Sequence, residues 1–312
     1  MKLGRIAVVT DTGRRRLGNE DAYVWRPPLF AIADGMGGAK AGEIAAGIAA
    51  DTLEGADSRP LDADDLATLI SEANVRIWER SLNDPATAGM GTTFTVALVD
   101  EEAGAVVFGH VGDSRAYRVR DGVLEQITTD HSLVAELVES GVLTPEEAER
   151  HPQRSAITRA LGTEPEVEPD VFTIEVAPGD LFLLCSDGLS DMLTEDQIAA
   201  AIERTDGDPT AAGEELVRKA NAEGGDDNIT VLLFEIVEGE PVPLADEARQ
   251  TAAPETDGAG AGEAPLAEAP EAEPAEKLRK HGAGPGGRIA AILFLLAVLV
   301  VAALVLYWGI AR

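Results

Sequence analysis

Residues 289–306 are an unbroken apolar run of eighteen, continued by Tyr307 and Trp308. At about 1.5 Å of rise per residue, a helix over 289–310 covers the ~30 Å hydrocarbon core of a bilayer, with Tyr307 and Trp308 in the interfacial belt. The sequence therefore predicts one transmembrane helix there. Lys277, Arg279, Lys280 and Arg288 precede it and only Arg312 follows, so the positive-inside rule places the preceding chain in the cytoplasm. Residues 1–9 lack the basic-then-apolar pattern of a secretory leader. The expected product is a single-pass cell-membrane protein whose water-soluble fold lies entirely upstream of the span.

Between 239 and 276 the chain holds six prolines, ten acidic residues and no aromatic residue. Such a segment cannot bury enough apolar surface to offset its ordering entropy. We expect a disordered acidic Ala/Pro-rich linker over 239–288, ending in the basic juxtamembrane residues, and a folded domain over 1–238. The whole chain carries 25 Lys+Arg and 56 Asp+Glu; setting aside 239–312, with 10 acidic and 6 basic residues, leaves 46 and 19 in the domain, a net charge of −27. With 45% apolar residues overall, the chain can bury a core, so the acidity belongs to a globular unit. A field this negative repels phosphate backbones and offers no basic stripe, which excludes nucleic-acid binding. It attracts divalent cations, for which carboxylates are the preferred ligands.

Apolar or alternating runs predict strands at 5–10, 29–33, 92–99, 106–111, 116–119, 171–176, 180–185 and 229–236. Helical periodicity covers 42–53, 63–81, 133–140, 194–203 and 209–222, with Asp62, Thr144 and Thr194 as N-caps. Asp121-Gly122 between two strand-like runs predicts a hairpin turn. Strands in runs and helices in blocks indicate an antiparallel α+β architecture. The single cysteine, Cys185, excludes an internal disulfide, and its apolar run makes it a buried strand residue.

Several aspartates stand where a strand ends and glycine adjoins: Asp34-Gly35, Gly112-Asp113, Asp187-Gly188 and Gly225-Asp226-Asp227. One Asp-Gly is an ordinary turn. Asp34 and Asp187, however, emerge from fully apolar strands, where an unpaired acid is costly unless it binds a cation. The ordered set Arg16-Leu17-Gly18-Asn19-Glu20-Asp21, Asp34-Gly35-Met36-Gly37-Gly38, Gly91-Thr92-Thr93, 109–115, Asp130-His131-Ser132, 157–162, Ser186-Asp187-Gly188-Leu189 and Asp227-Asn228-Ile229-Thr230 resembles the type 2C (PPM) metal-dependent serine/threonine protein phosphatases of the bacterial membrane-anchored type. The resemblance covers 1–238.

That resemblance implies a four-layer α-β-β-α sandwich, two antiparallel sheets flanked by antiparallel helices, with two manganese or magnesium ions at one end. It gives Asp34 as the bridging ligand, Asp187 and Asp227 as ligands of the first ion, and the Gly35 carbonyl as ligand of the second, with Glu20 and Asp21 supporting it through water. A third, weaker ion falls to Asp113 with Asp187, and Ser155 is a further ligand from a flap over 128–162. Arg16 would hold the phosphate, and a dimetal-activated water would attack phosphorus in line. Met36 stands where some relatives carry a histidine general acid, so that role is left unassigned, and His131 is read as architectural. The expected activity is hydrolysis of phosphoserine and phosphothreonine in proteins, opposing a membrane serine/threonine kinase. The alternatives are a catalytically silent metal-binding scaffold and a small-metabolite phosphatase on the same fold.

Overall fold

The computed structural model describes residues 1–37, 41–56, 61–148 and 150–238. All of them belong to the first of the chain's two units, Met1–Glu255; the second, Thr256–Arg312, lies outside the described residues, as do the expected linker and transmembrane helix. Among the described residues no helix is long and apolar enough to cross a membrane.

In chain order the elements are β1 (Lys2–Asp11), β2 (Ala22–Arg26), β3 (Leu29–Ala33), β4 (Gly35–Met36), α1 (Ala41–Glu54), α2 (Ala63–Asn83), β5 (Gly91–Thr92), β6 (Phe94–Asp100), β7 (Ala105–Val111), β8 (Arg115–Arg120), β9 (Val123–Gln126), α3 (Leu133–Glu139), α4 (Pro145–Ala148), β10 (Asp170–Glu175), β11 (Leu181–Cys185), α5 (Asp187–Ser190), α6 (Glu195–Glu203), α7 (Pro209–Glu223) and β12 (Ile229–Val237). The strands form two five-stranded sheets, ordered β1-β12-β11-β8-β9 and β10-β7-β6-β3-β2, and a separate β4-β5 pair, with every pairing antiparallel. The sheets stack face to face. Phe30 of one sheet lies 4.8 Å, centroid to centroid, from Phe234 of the other, and Phe234 stacks on Phe182 at 5.0 Å. Each fully buried aromatic of this kind is worth about 1.5–3 kcal/mol of transfer free energy.

The outer faces are covered in turn. Leu53, Leu66, Ile70 and Ile77 of α1 and α2 pack with Val96 and Leu98 of β6. Ile198, Leu216 and Ala220 of α6 and α7 pack with Leu183, Val231 and Leu233 on the other sheet. This is the four-layer α-β-β-α sandwich expected from the resemblance. Its helices start where the sequence indicated: Asp62 and Thr194 complete capping boxes, and Thr144 accepts from Glu147 N at 3.3 Å. The β8–β9 turn has Asp121 at φ 52° and Gly122 at φ 79°, the two positive values a two-residue hairpin loop needs. β2 has no counterpart among the predicted strands. It is a sheet edge on which only Val24 is buried, so it carries no alternation to detect.

Candidate metal centre

Five chain segments arrive at one end of the sandwich: the loop leaving β1, the ends of β3, β7 and β11, and the start of β12. The loop from Thr12 to Glu20 is stapled rather than free. Asp11 Oδ1 accepts from Gly13 N at 2.8 Å, Arg14 N donates to Gly225 O at 2.7 Å, and Asn19 Nδ2 donates to Thr10 Oγ1 at 2.7 Å. Asn228, 4% exposed, uses its whole amide on this loop: Oδ1 accepts from Glu20 N at 2.8 Å, and Nδ2 donates to Thr12 O at 2.9 Å and Gly18 O at 3.0 Å. Asp34 is fixed through its backbone. Its N donates to Thr93 Oγ1 at 3.0 Å, its O accepts from Thr92 Oγ1 at 2.8 Å, and Thr93 Oγ1 bonds Ser114 Oγ at 2.7 Å.

Among the described residues no group of three or more His, Cys, Asp or Glu side chains stands as a ready-formed ion cage. What the fold brings together is a set of acids that perturb one another. Desolvation, then the charges of Asp187, Asp21 and Asp113, hold the Asp34 carboxyl well above the usual range. Desolvation pushes Asp21 to about 7 against the hydrogen bonds of Thr230 and Ser186. It raises Asp113 to about 8, with Asp187 adding, and Asp187 to about 6, with Asp191 and Asp227 adding. Ser186 Oγ and Thr230 Oγ1 donate to Asp21 Oδ2 at 2.9 and 2.6 Å, which fixes that carboxylate's orientation. The Oδ1 atoms of Asp21, Asp113 and Asp187 are shielded from solvent and have no hydrogen-bond partner. Shielded, unpaired carboxylate oxygens are costly, and oxygen donors are what Mg²⁺ or Mn²⁺ accepts, so the donor set fits such ions.

Gly35 and Glu20 meet at a close backbone crossing. A Cβ on Gly42 would stand 2.6 Å from both Gly35 O and Glu20 Oε2, so the carbonyl and the carboxylate flank one point beside α1. Asp227 Oδ1 accepts from Asn228 N at 2.8 Å, while its Oδ2 accepts from Arg16 Nη2 at 2.5 Å. Arg16, its side chain 51% exposed, thus stands at the rim with its positive charge also felt by Asp187. Ser155 is exposed on the segment between α4 and β10 and lies outside the shielded group.

His131 is buried, with both ring nitrogens engaged. Nδ1 accepts from Gly112 N at 3.0 Å, so Nε2 carries the proton that faces Asp170 Oδ2 at 3.2 Å. Cys185 is fully buried and its thiol is pushed up to about 12 by desolvation. Asn228 as a loop staple and the Thr92, Thr93 and Ser114 lacing under Asp34 lie in the quoted motifs, but sequence reasoning gave them no role, and it missed Asp191 altogether. The charge of Asp191 reaches both Asp113 and Asp187, and it pairs with Arg154 at 3.6 Å. Its one sequence signal was its position four residues after Asp187.

The protein phosphatase 2C family model matches residues 14–224. The serine/threonine protein phosphatase PstP of Mycobacterium tuberculosis is 41% identical over 237 residues, covering 75% of this chain but 45% of that protein, so the chain matches less than half of that relative's length. The protein phosphatase PhpP of Streptococcus pneumoniae is 40% identical over 246 residues, 75% of this chain and 98% of that one. A crystal structure of the PstP catalytic domain in complex with two manganese ions superposes with a TM-score of 0.69 at 37% identity, covering 75% of this chain and 98% of that chain. With more than half of its residues matched by the family model and its two-sheet sandwich shared with a solved member, the chain belongs to the protein phosphatase 2C family.

Proposed function

We propose that the protein is a metal-dependent serine/threonine protein phosphatase. The observation that carries this reading is the trio of shielded, unpartnered oxygens on Asp21, Asp113 and Asp187 beside the Arg16 guanidinium. Asp34, Asp187, Asp227 and the Gly35 carbonyl are the residues that would hold two Mn²⁺ or Mg²⁺ ions, with Glu20 and Asp21 supporting the second. Asp113 offers a third, weaker position with Asp187, and Ser155 would have to reach it from the flap. When bound, such ions supply Lewis-acid activation of a water and charge stabilisation at phosphorus. The chain's own groups do the rest. The planar donor fork of Arg16, exchanged from Asp227 onto the phosphate, orients it. The Ser186 and Thr230 hydroxyls hold Asp21 in one rotamer, and the Asn228 staple keeps Arg16 and Glu20 at fixed separation from β12.

We extend the proposal to the cell. The apolar run at 289–310, preceded by Lys277, Arg279, Lys280 and Arg288, supports a tail that spans the cell membrane, with 239–288 as spacer and 1–238 in the cytoplasm. Phosphorylated proteins are then the substrates. A membrane serine/threonine kinase is the natural opponent, because confinement to one surface raises the encounter concentration. Phosphate release from a phosphothreonine peptide by the full-length chain, with and without Mn²⁺, tests the chemistry: Asp34→Asn and Asp187→Asn should abolish Mn²⁺-dependent turnover. A folded, Mn²⁺-binding wild type without turnover would refute it. Fractionation of the full chain against one ending at residue 238 tests the anchor, and equal partition of the two into the soluble fraction would sink it.

A further inference from the structure

The 12–20 loop holds a feature that the metal centre does not use. Leu17 is fully exposed at 106%, whereas the other exposed large apolar side chains, from Met1 to Val142, range from 37% to 66%. A lone surface leucine is ordinary. This one, however, sits on a loop pinned by Asn228 to Thr12 O and Gly18 O, by Asn19 to Thr10 and by Arg14 N to Gly225 O, so the backbone that carries it is already ordered in the fold. It is also the residue after Arg16, whose guanidinium lies on Asp227 at the rim of the acidic group.

We infer that Leu17 is a specificity-determining residue, packing against an apolar side chain next to the phosphorylated Ser or Thr of the substrate. The inference rests on the phosphatase reading above. Consecutive Cα atoms lie 3.8 Å apart, and an extended peptide advances about 3.3 Å per residue. A phosphoresidue engaged by Arg16 therefore brings a flanking side chain within reach of Leu17. Acidic flanks are disfavoured because the domain is strongly negative and the adjacent Arg15 is already paired with Asp226 at 3.0 Å. An anionic lipid surface is repelled by the same field.

The test compares two phosphothreonine peptides on the full-length, Mn²⁺-loaded chain, one with leucines and one with serines on either side of the phosphoresidue. The wild type should prefer the leucine-flanked peptide. Leu17→Ala should lower the ratio of the two kcat/KM values about tenfold, mainly through KM, as expected for losing the burial of one aliphatic side chain, and Leu17→Met should restore most of it. A general loosening of the loop would depress both peptides alike and leave the ratio unchanged. An unchanged ratio in Leu17→Ala, or no preference in the wild type, overturns the inference. A wild type that hydrolyses neither peptide overturns the phosphatase reading itself, and this inference with it.

Discussion

Gly188 offers the sharpest test of how the centre is assembled. It follows Asp187 at the start of α5, and its backbone touches Asn228, between Asp227 and β12. A Cβ placed there would stand 2.1 Å from Asn228 O and 2.9 Å from Asn228 C. Real Cβ atoms essentially never come within 3.0 Å of a heavy atom, so Gly188→Ala must open the contact by about 0.9 Å, and both partners are backbone. Two of the metal-ligand aspartates of the proposal, Asp187 and Asp227, sit on either side of this contact, and Asn228 also carries the staple to Glu20. Misplacement by about 1 Å costs on the order of 100-fold in rate, equivalent to ~2.7 kcal/mol of barrier, and forced overpacking costs a further 1–3 kcal/mol or so of stability. Gly47 in α1 is the matched control, since a Cβ there meets nothing within 4 Å. Gly47→Ala should be neutral to activity and stabilising by about 0.5–1 kcal/mol, because glycine is the poorer helix former. The assay is Mn²⁺-dependent phosphate release alongside urea midpoints and Mn²⁺ titration calorimetry. A Gly188→Ala variant with wild-type turnover and Mn²⁺ affinity would refute the claim that this crossing sets the separation of Asp187 and Asp227.

Asn228→Ala leaves Glu20 N, Thr12 O and Gly18 O without partners; we expect a loss of about 1–3 kcal/mol in the urea midpoint together with a higher KM, and an unchanged KM would show that the staple does not position Arg16. His110 is held neutral down to about 3, mainly by burial and then by the charge of His131. Its unfolded value lies near 6.5, so the unfolded chain takes the proton first and stability falls as pH drops below 6.5, by up to ~1.4 kcal/mol per unit. His110→Gln, which keeps a donor for Thr129 O, should lose less between pH 7 and pH 4.5 than the wild type, and an equal acid-side fall in both would contradict the assignment. The buried Cys185 thiol should stay unreactive towards iodoacetamide until the domain unfolds; stoichiometric labelling of the native protein at pH 7.5 would show that β11 opens.

Much of this was legible because its signals are local. Asp121-Gly122 needs only its own positive φ values, Asp62 and Thr194 cap residues three positions away, and 181–185 is apolar because both faces of β11 are covered. Asp34, Asp113 and Asp187 could be named because each stands at a strand end with a glycine beside it. What stayed hidden was the role of small polar motif residues that position those acids across long sequence separations: Thr93 under Asp34, Ser114 under Thr93, Ser186 and Thr230 on Asp21, and Asn228 on the 12–20 loop. A threonine or serine in a strand looks the same in sequence whether it lines a surface or holds a carboxylate. Asp191 was hidden for the opposite reason, being one acid among 56 with no glycine or strand end to mark it.

The contrast between the two ends of one sheet shows that the acidic group is more than a consequence of a negative composition. β1, β12 and β11 are neighbours in one sheet, and towards its far end Asp180, Glu235 and Asp208 are matched. Asp180, 1% exposed, accepts from Arg120 Nε and Nη2 at 2.6 Å each and from Ala177 N at 2.8 Å, while Glu235 accepts from Arg5 at 2.9 and 3.0 Å and Asp208 takes the same guanidinium. That end also holds a concavity of about 360 Å³, lined by Val119, Pro178, Leu181 and Ile202, and among the described residues no shielded, unpartnered carboxylate oxygen lies there. At the near end Asp21, Asp113 and Asp187 keep shielded oxygens unpaired, and the nearest arginine is half in solvent. The same sheet and the same overall charge thus give a paired buried acid at one end and unpaired buried acids at the other. Burying an acid without a partner destabilises the fold, so its restriction to the end where five segments meet points to a cation, not volume, as what the near end is built to receive.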